Sequence, residues 1–397
     1  MKSWLRKFVL ASGTISLLGT GRVAAQAERP KPAVVLVDSA DVARWREWTR
    51  ENGWRVIAPE AAAGNIDARV QGLQAAVRAA VQDGSADALR VYVAGSGGAA
   101  AAVFYAISRV PDLWAAGLAL GGSPQPAIDS DRLFAANFTN VPVLWVSAAP
   151  PDEAIAGKLK GAGMNLEWKD ASGNIEVRIL LDWLARHTRE EYPTAIDCET
   201  NSPTFAQCYW IRMSKFDAAE RNDVLASSRV PPNPGAVLDL GGFSYPPDEP
   251  GPGVLVASLP DKYSGPLKQG DRIVALDGKE IAGARQFTEL MAQIKEERAA
   301  VVMVQRGKSR TRLETRVILP RRAPVVTARV QAQYVPADQE IQIISRAVTE
   351  MRVTIPRQWL PAVLNWNGVP LEKLEATGCR LLTIEKAIEH AAACPEQ

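Results

Sequence analysis

The stretch Leu89-Arg90-Val91-Tyr92-Val93-Ala94-Gly95-Ser96-Gly97-Gly98 decides how this chain is read. Its first six residues make an apolar run of strand type, and residues 97–109 that follow are Ala-rich with helical spacing. A serine set among glycines at such a junction sits on a tight strand-to-helix turn. Only small neighbours let the two backbone segments approach there while the hydroxyl is held outward. The same residues equally suit a turn serine kept for packing alone.

Outward from this turn the pattern repeats. Residues 33–37, 55–58, 113–120, 141–147 and 165–169 read as further strands. Residues 66–82 and 155–162 have helical periodicity, and a closing helix over 175–189 places Ile179, Leu180, Trp183 and Leu184 on one face. Strands this apolar, alternating with helices, predict an α/β fold with a mostly parallel sheet covered on both faces. Trp45, Trp48 and Trp54 cluster in the first helical region. Packing accounts for them, with sugar or polymer binding as the alternative.

Residues 33–190 resemble the α/β-hydrolase superfamily, in particular secreted esterases of the dienelactone-hydrolase and polyhydroxybutyrate-depolymerase type. Weaker similarity continues through Glu191-Tyr192-Pro193 and Cys208-Tyr209-Trp210-Ile211. The resemblance implies a serine, an acid and a histidine in that chain order. Ser96 would be the nucleophile, with the backbone of Gly97 as an oxyanion donor. Asp152 or Glu153 would be the acid, following the strand with Pro142-Val143-Leu144-Trp145-Val146; both also suit the first turn of a helix. The histidine is expected in Asp170-Ala171-Ser172-Gly173-Asn174-Ile175, and Asn174 stands in its place. An amide has no useful basicity near pH 7. Losing the base costs ~10⁶-fold in rate, roughly 8 kcal/mol. The family often has His-Gly after the first core strand; here Asp38-Ser39-Ala40 brings a carboxylate that opposes a developing oxyanion.

The chain has only 2 histidines. His187 lies at the end of the closing helix, where the dipole favours it for structural reasons, and His390 lies near the C-terminus. So few imidazoles argue against His-rich metal sites, and no metal or cofactor is expected.

A second unit centres on Gly265-Pro266-Leu267-Lys268-Gln269-Gly270-Asp271-Arg272-Ile273-Val274-Ala275-Leu276-Asp277-Gly278. It resembles a bacterial-type PDZ domain over residues 235–322. That resemblance implies a peptide or protein C-terminus added as a strand beside a helix, its carboxylate received by backbone N–H groups. Leu240-Gly241-Gly242-Phe243 resembles the carboxylate-binding loop, with Gly241 where an apolar residue is usual. Phe287, Leu290 and Ile294 on the helix over 284–297 are the groove candidates, or else core filling. Pro246, Pro247, Pro250 and Pro252 lengthen the next loop and are placed to cover the groove. Pro/Gly clusters at 231–235 and 320–324 read as linkers.

Residues 323–397 are expected to form a small β unit with strands at 327–333, 340–344 and 350–355, then a final helix from Thr383 to Cys394. Residues 191–234 form a disulfide-bearing β segment and linker, and the part around 192–213 is expected to pair with the strands after Thr327, making the PDZ-like unit an insertion. Cysteine pairing is expected to be local, Cys198 with Cys208 and Cys379 with Cys394, each bridge adding about 3 kcal/mol. Residues 1–27 carry Lys2, Arg6 and Lys7, an apolar stretch over 8–18 and Ala25-Gln26-Ala27, the layout of a secretory signal peptide. The apolar stretch is far short of the ~20 residues that span a bilayer. Export to the periplasm or extracellular space is expected, with no membrane span after cleavage; an uncleaved N-terminal anchor is the alternative reading of the same residues.

Lys plus Arg total 46 against 44 for Asp plus Glu, a net charge of +2, and no basic stripe suits a phosphate backbone. Nucleic-acid binding is not expected. The residues support a pseudo-hydrolase acting through peptide or protein binding. The alternatives are a serine hydrolase of carboxylic esters using Ser96 with an unusual base, and an envelope-assembly factor using neither pocket.

Overall fold

The computed structural model describes residues 29–395 apart from 60–64, 149–151, 172–175, 221–223, 233–234, 247–248, 295 and 321–325. The leader at 1–27, Asn174 and Pro247 therefore lie outside the described residues.

Two-residue alternation builds the first layer. In β1 (Lys31–Leu36), Ala33 and Val35 enter one core and Val34 and Leu36 another. Both faces are apolar, so both must be covered. The chain continues through α1 (Val42–Trp48), β2 (Arg55–Ile57), α2 (Ile66–Gln82), β3 (Ala86–Ser96) and α3 (Ala100–Arg109). Then come β4 (Ala116–Leu120), α4 (Gln125–Asp129), β5 (Val143–Ser147), α5 (Asp152–Gly161), β6 (Leu166–Asp170) and α6 (Val177–Ala185). The strand expected from residue 113 starts later, because Pro111–Leu113 forms a 3-10 turn. The sheet order is β2-β1-β3-β4-β5-β6, every pairing parallel. Leu73, Phe104 and Leu159 bring α2, α3 and α5 onto one face; Trp45 and Leu184 bring α1 and α6 onto the other. This layer is an open parallel α/β sheet covered by helices on both faces.

The chain then forms β7 (Ala195–Thr200), β8 (Gln207–Cys208) and β9 (Ile211–Phe216). A second unit follows: β10 (Val237–Leu238), β11 (Val254–Leu255), β12 (Arg272–Leu276), β13 (Lys279–Glu280), α7 (Ala284–Gln293), β14 (Arg298–Arg306) and β15 (Ser309–Ile318). Its sheet runs β10-β15-β14-β12-β11, and Phe287 and Met291 anchor α7 to its core.

The remaining strands are β16 (Ala328–Val335), β17 (Glu340–Arg346), β18 (Val348–Ile355), β19 (Ala362–Trp366), β20 (Val369–Leu374), β21 (Gly378–Glu385) and β22 (Ile388–Ala393). They pair with strands from before the second unit: β16 with β7, β18 with β9. Two five-stranded sheets result, β20-β19-β17-β16-β7 and β22-β21-β18-β9-β8, over a shared core of Ile211, Val330, Met351 and Trp366. Segments 191–234 and 323–397 are thus one β unit with the second unit inserted. The helix expected from Thr383 to Cys394 is instead the β21–β22 hairpin. Lys386 and Ala387 turn it, both at positive φ (51° and 60°), as a two-residue hairpin loop requires. Pairing with β18 overrides the helical preference of Ala391-Ala392-Ala393.

Cys198–Cys208 joins β7 to β8 and so ties one sheet to the other; Cys379–Cys394 closes the open end of the last hairpin. Two disulfides fit an oxidising, extracytoplasmic compartment. Among the described residues no helix is long and apolar enough to cross a membrane.

Polar groups weld the layers together. Asn137 exchanges two hydrogen bonds with the backbone of Glu199 at 2.7 and 2.9 Å. The guanidinium of Arg109, 2% exposed, donates to Asn201 at 2.8 Å and stacks over Phe205. The Glu199 carboxylate accepts from Ser227 Oγ, from the Ser228 N–H and hydroxyl, and from Thr327 Oγ1. Both connectors of the inserted unit therefore end on one buried carboxylate.

Replacing it tests this account. In Glu199→Ala the Ser228 N–H and the Ser227 and Thr327 hydroxyls lose their acceptor, and stability should fall by on the order of 2–3 kcal/mol, read from urea unfolding followed by tryptophan fluorescence. A second test concerns Asp112, half-buried as a residue but with Oδ1 fully enclosed and unpartnered. Burial pushes its pKa up to about 6, with Arg189, Arg78 and Arg212 pulling the other way. The folded chain thus holds this proton more tightly than the unfolded chain does at ~3.9. The stability it contributes is full below pH ~4 and lost as pH rises through ~6, on the order of 2–3 kcal/mol. Asp112→Asn should raise the melting temperature at pH 8 and leave it nearly unchanged at pH 4.

Candidate functional site

β3 ends on Ser96, and Gly97–Ala99 makes a single 3-10 turn before α3. The left-handed residue of this turn is Gly97, at φ +55°. Ser96 keeps an extended backbone, φ −123° and ψ 151°. The close approach lies between Gly95 and Ala99: a Cβ on Gly95 would stand 2.7 Å from the Ala99 carbonyl oxygen and 2.6 Å from Val37 Cγ2. In an elbow the nucleophile occupies the strained apex between two small residues. Here that apex is Gly97, flanked by Gly95 and Ala99, and it carries no side chain. Ser96 stands one residue before it.

The Ser96 hydroxyl accepts from Arg44 Nη2 at 3.0 Å. The same nitrogen donates to Asp41 Oδ1 at 2.5 Å, and the guanidinium lies over Trp48. A guanidinium has donors only, so it cannot take a serine proton. On the oxyanion side, Asp38 Oδ1 accepts from the Ala40 N–H at 2.9 Å, so that donor is spent on a carboxylate. Asp152 opens α5 with Glu153 in the same first turn, favourable against the helix dipole. Among the described residues no hydrogen bond joins either acid to Ser96.

Both imidazoles are elsewhere. His187 follows α6, its Nδ1 2.8 Å from the Trp183 carbonyl and its ring 4.3 Å from that indole. Burial lowers its pKa, and Arg186 adds to the effect. Its own carbonyl accepts from Tyr92 Oη, and nearby Arg189 N donates to the Leu89 carbonyl. At ~3.3 Å per residue, Leu89 lies about 23 Å along β3 from Ser96. His390 pairs with Thr383 in the last hairpin. Because β1 lies between β2 and β3, their loops diverge and leave a crevice at the strand ends. A cavity of about 300 Å³ sits there, lined in part by Asp38, Arg69, Gly98 and Tyr105.

The second site lies on the inserted unit. A cavity of about 420 Å³ opens between α7 and residues 235–245, with Gly241, Gly242, Phe243, Phe287 and Met291 among its lining. Gly241 and Gly242 are left-handed, at φ +77° and +83°. Among the described residues the N–H groups of Gly241, Gly242 and Phe243 meet no acceptor. Successive free N–H groups in such a turn form a concavity suited to an anion. Ser244 is bonded to Ser258 and Ala257 on one side. Ser244 forms an isolated antiparallel bridge there, and among the described residues the N–H groups of Phe243 and Tyr245 on either side of it meet no backbone acceptor.

A large residue is absent at Gly241 because Tyr263 fills its space. A Cβ there would stand 2.8 Å from the Tyr263 ring. Tyr263 Oη is fixed, donating to the Leu240 carbonyl at 2.6 Å and accepting from Leu267 N at 3.0 Å. Leu240 itself is buried in the core, and Leu290 and Ile294 pack against that core rather than line the cavity. Among the described residues of the proline loop none lines the cavity; Glu249 and the Pro250 and Pro252 carbonyls are bound by Arg272. Arg44, Tyr245, Tyr263 and Thr288 escaped the sequence reading. Only Tyr245, two residues past Phe243, and Thr288, next to Phe287, carried a positional signal.

No family model and no curated protein matches the chain. Among solved structures it is similar to a thermostable esterase at 14% identity and TM-score 0.30, over 41% of this chain and 56% of that one. It is similar to an esterase of Rhizomucor miehei at 11% identity and TM-score 0.34, over 41% of this chain and 77% of that one. A putative dienelactone hydrolase from Klebsiella pneumoniae subsp. pneumoniae MGH 78578 gives 16% identity and TM-score 0.32, over 41% of this chain and 90% of that one.

Proposed function

We propose that this is an exported, catalytically silent α/β-hydrolase-like protein that works by holding the C-terminal end of a peptide or protein partner. The observation that carries the silent half is the setting of Ser96. Its hydroxyl accepts from a guanidinium, the turn apex beside it is Gly97, and neither imidazole of the chain is near. A hydroxyl without a proton acceptor is a weak nucleophile at neutral pH.

The binding half rests on the groove of the inserted unit, read as PDZ-like. Three unspent N–H groups at Gly241–Phe243 suit a terminal carboxylate, and an apolar cavity beside them suits the last side chain. The open backbone edge of Phe243 and Tyr245 suits strand addition. Pro246 follows at once and has no N–H, so the edge accommodates only the last few residues of a ligand.

Two measurements test the proposal. A fluorophosphonate probe and p-nitrophenyl esters should give neither labelling nor turnover with the mature protein. Labelling that disappears in Ser96→Ala would establish the serine-hydrolase alternative. Fluorescein-labelled octapeptides with an apolar last residue should bind, and amidating the terminal carboxylate should weaken binding at least about tenfold by leaving the N–H groups without a charged acceptor. Equal affinity of acid and amide would remove the carboxylate site.

A further inference from the structure

A cluster of cations gathers where the first sheet begins. A cavity of about 200 Å³ opens at the starts of β1 and β2, with Arg29, Lys31, Trp54 and Arg55 in its lining. Ser96 closes β3 at the opposite end of the same parallel sheet, so this cavity is separate from the crevice beside the elbow. Strand pairing brings the cations together: Arg55 stands opposite Ala33 in the β1–β2 register, two residues from Lys31. Like charges this close repel one another, and the described residues do little to neutralise them. Arg29 and Arg55 make no hydrogen bond or salt bridge through their side chains among the described residues. Asp83 lies near enough to feel Arg55, but its Oδ1 accepts from the Ser85 N–H at 2.9 Å.

The end of α2 nearby does not account for the cluster. Cations often serve a helix C-terminus. Here, however, the Ala79, Ala80 and Val81 carbonyls already accept from the N–H groups of Asp83, Ser85 and Gly84. The remaining wall is of another kind: the Trp54 indole stacks on Tyr92, centroids 5.3 Å apart, and its N–H meets no acceptor among the described residues. We propose that this cavity binds a phosphomonoester, of a small organic phosphate or a lipid headgroup, with Arg29, Lys31 and Arg55 receiving its oxygens and Trp54 lying against its carbon skeleton. Such a group carries about two negative charges near pH 7, which answers three cations beside one carboxylate. A guanidinium forks onto two phosphate oxygens, and these charge-assisted bonds are about twice as strong as neutral ones. The volume is below the ~300 Å³ at which drug-sized pockets begin and suits a group the size of glycerol phosphate.

Two probes test the site on the full mature chain: glycerol 3-phosphate by isothermal titration, and flotation with phosphatidylcholine vesicles made with or without phosphatidic acid. Saturable heat with glycerol 3-phosphate supports the site and identifies a soluble ester. Capture that requires phosphatidic acid supports it and identifies a lipid headgroup. Arg55→Ala should weaken the binding seen at least about tenfold, the scale of one lost hydrogen bond to a charged group. Arg29→Gln, placed before β1 and outside any strand, should act in the same direction. It serves as the second variant should Arg55→Ala fail to fold by circular dichroism. Arg312→Ala removes a cation from β15, where its side chain is 63% exposed, and should leave binding unchanged. Absence of binding to both probes overturns the proposal. So does binding that Arg55→Ala and Arg29→Gln leave intact, or that Arg312→Ala weakens as much as they do.

Discussion

The carboxylate of Glu199 lies buried on β7, and what surrounds it comes from three places along the chain. Ser227 and Ser228 reach it from the segment leading into the inserted unit, and Thr327 from the segment leading out. The backbone of the same residue is bonded to Asn137 of the α/β layer. An anion in a dry site persists only when its lone pairs are filled. The need to satisfy this one charge therefore fixes where the insertion departs, where it returns, and how the β unit meets the α/β layer. Arg109 works beside it in the same sense, carrying charge from α3 to Asn201 and Phe205.

Packing sets the β3-to-α3 turn. Gly95 and Ala99 must be small because strand and helix nearly touch there, whatever stands between them. Those packing demands hold the β3-to-α3 junction in shape without reference to catalysis. The residues around it serve the fold: Ser96 joins Arg44 and Asp41, Asp38 caps the turn after β1, and His187 leans on Trp183. In the inserted unit the reverse holds. Tyr263 spends its entire hydrogen-bonding capacity on shaping a loop whose own N–H groups remain unspent.

Much of the fold was legible because it follows from periodicity. The helix over Ile66–Gln82 and the apolar strands of the first sheet follow directly from side-chain spacing. Local pairing of the four cysteines, and pairing of strands across the insertion, were open to reading for the same reason. The last hairpin was not, since Ala391-Ala392-Ala393 favours a helix locally and only β18 and β21 make it a strand. At the sites, Ser96, Gly241 and Phe287 could be named from motif and spacing. Arg44 could not, because nothing in a string of residues says that a side chain 52 positions away will approach Ser96. Nor could the shift of the turn apex to Gly97. A run of small residues does not declare which of them bears the positive φ.

The split sandwich also sets an order of events during synthesis. Glu199 and Thr327 are 128 positions apart, so β7 and β9 emerge from the ribosome long before β16 and β18 exist. The α/β layer and the inserted unit each hold all their own strands and can close as they appear. β7 and the outer edge of the β8–β9 pair must wait for β16 and β18, until nearly the whole chain is out. Such distant pairing is slow and exposes sticky edges meanwhile.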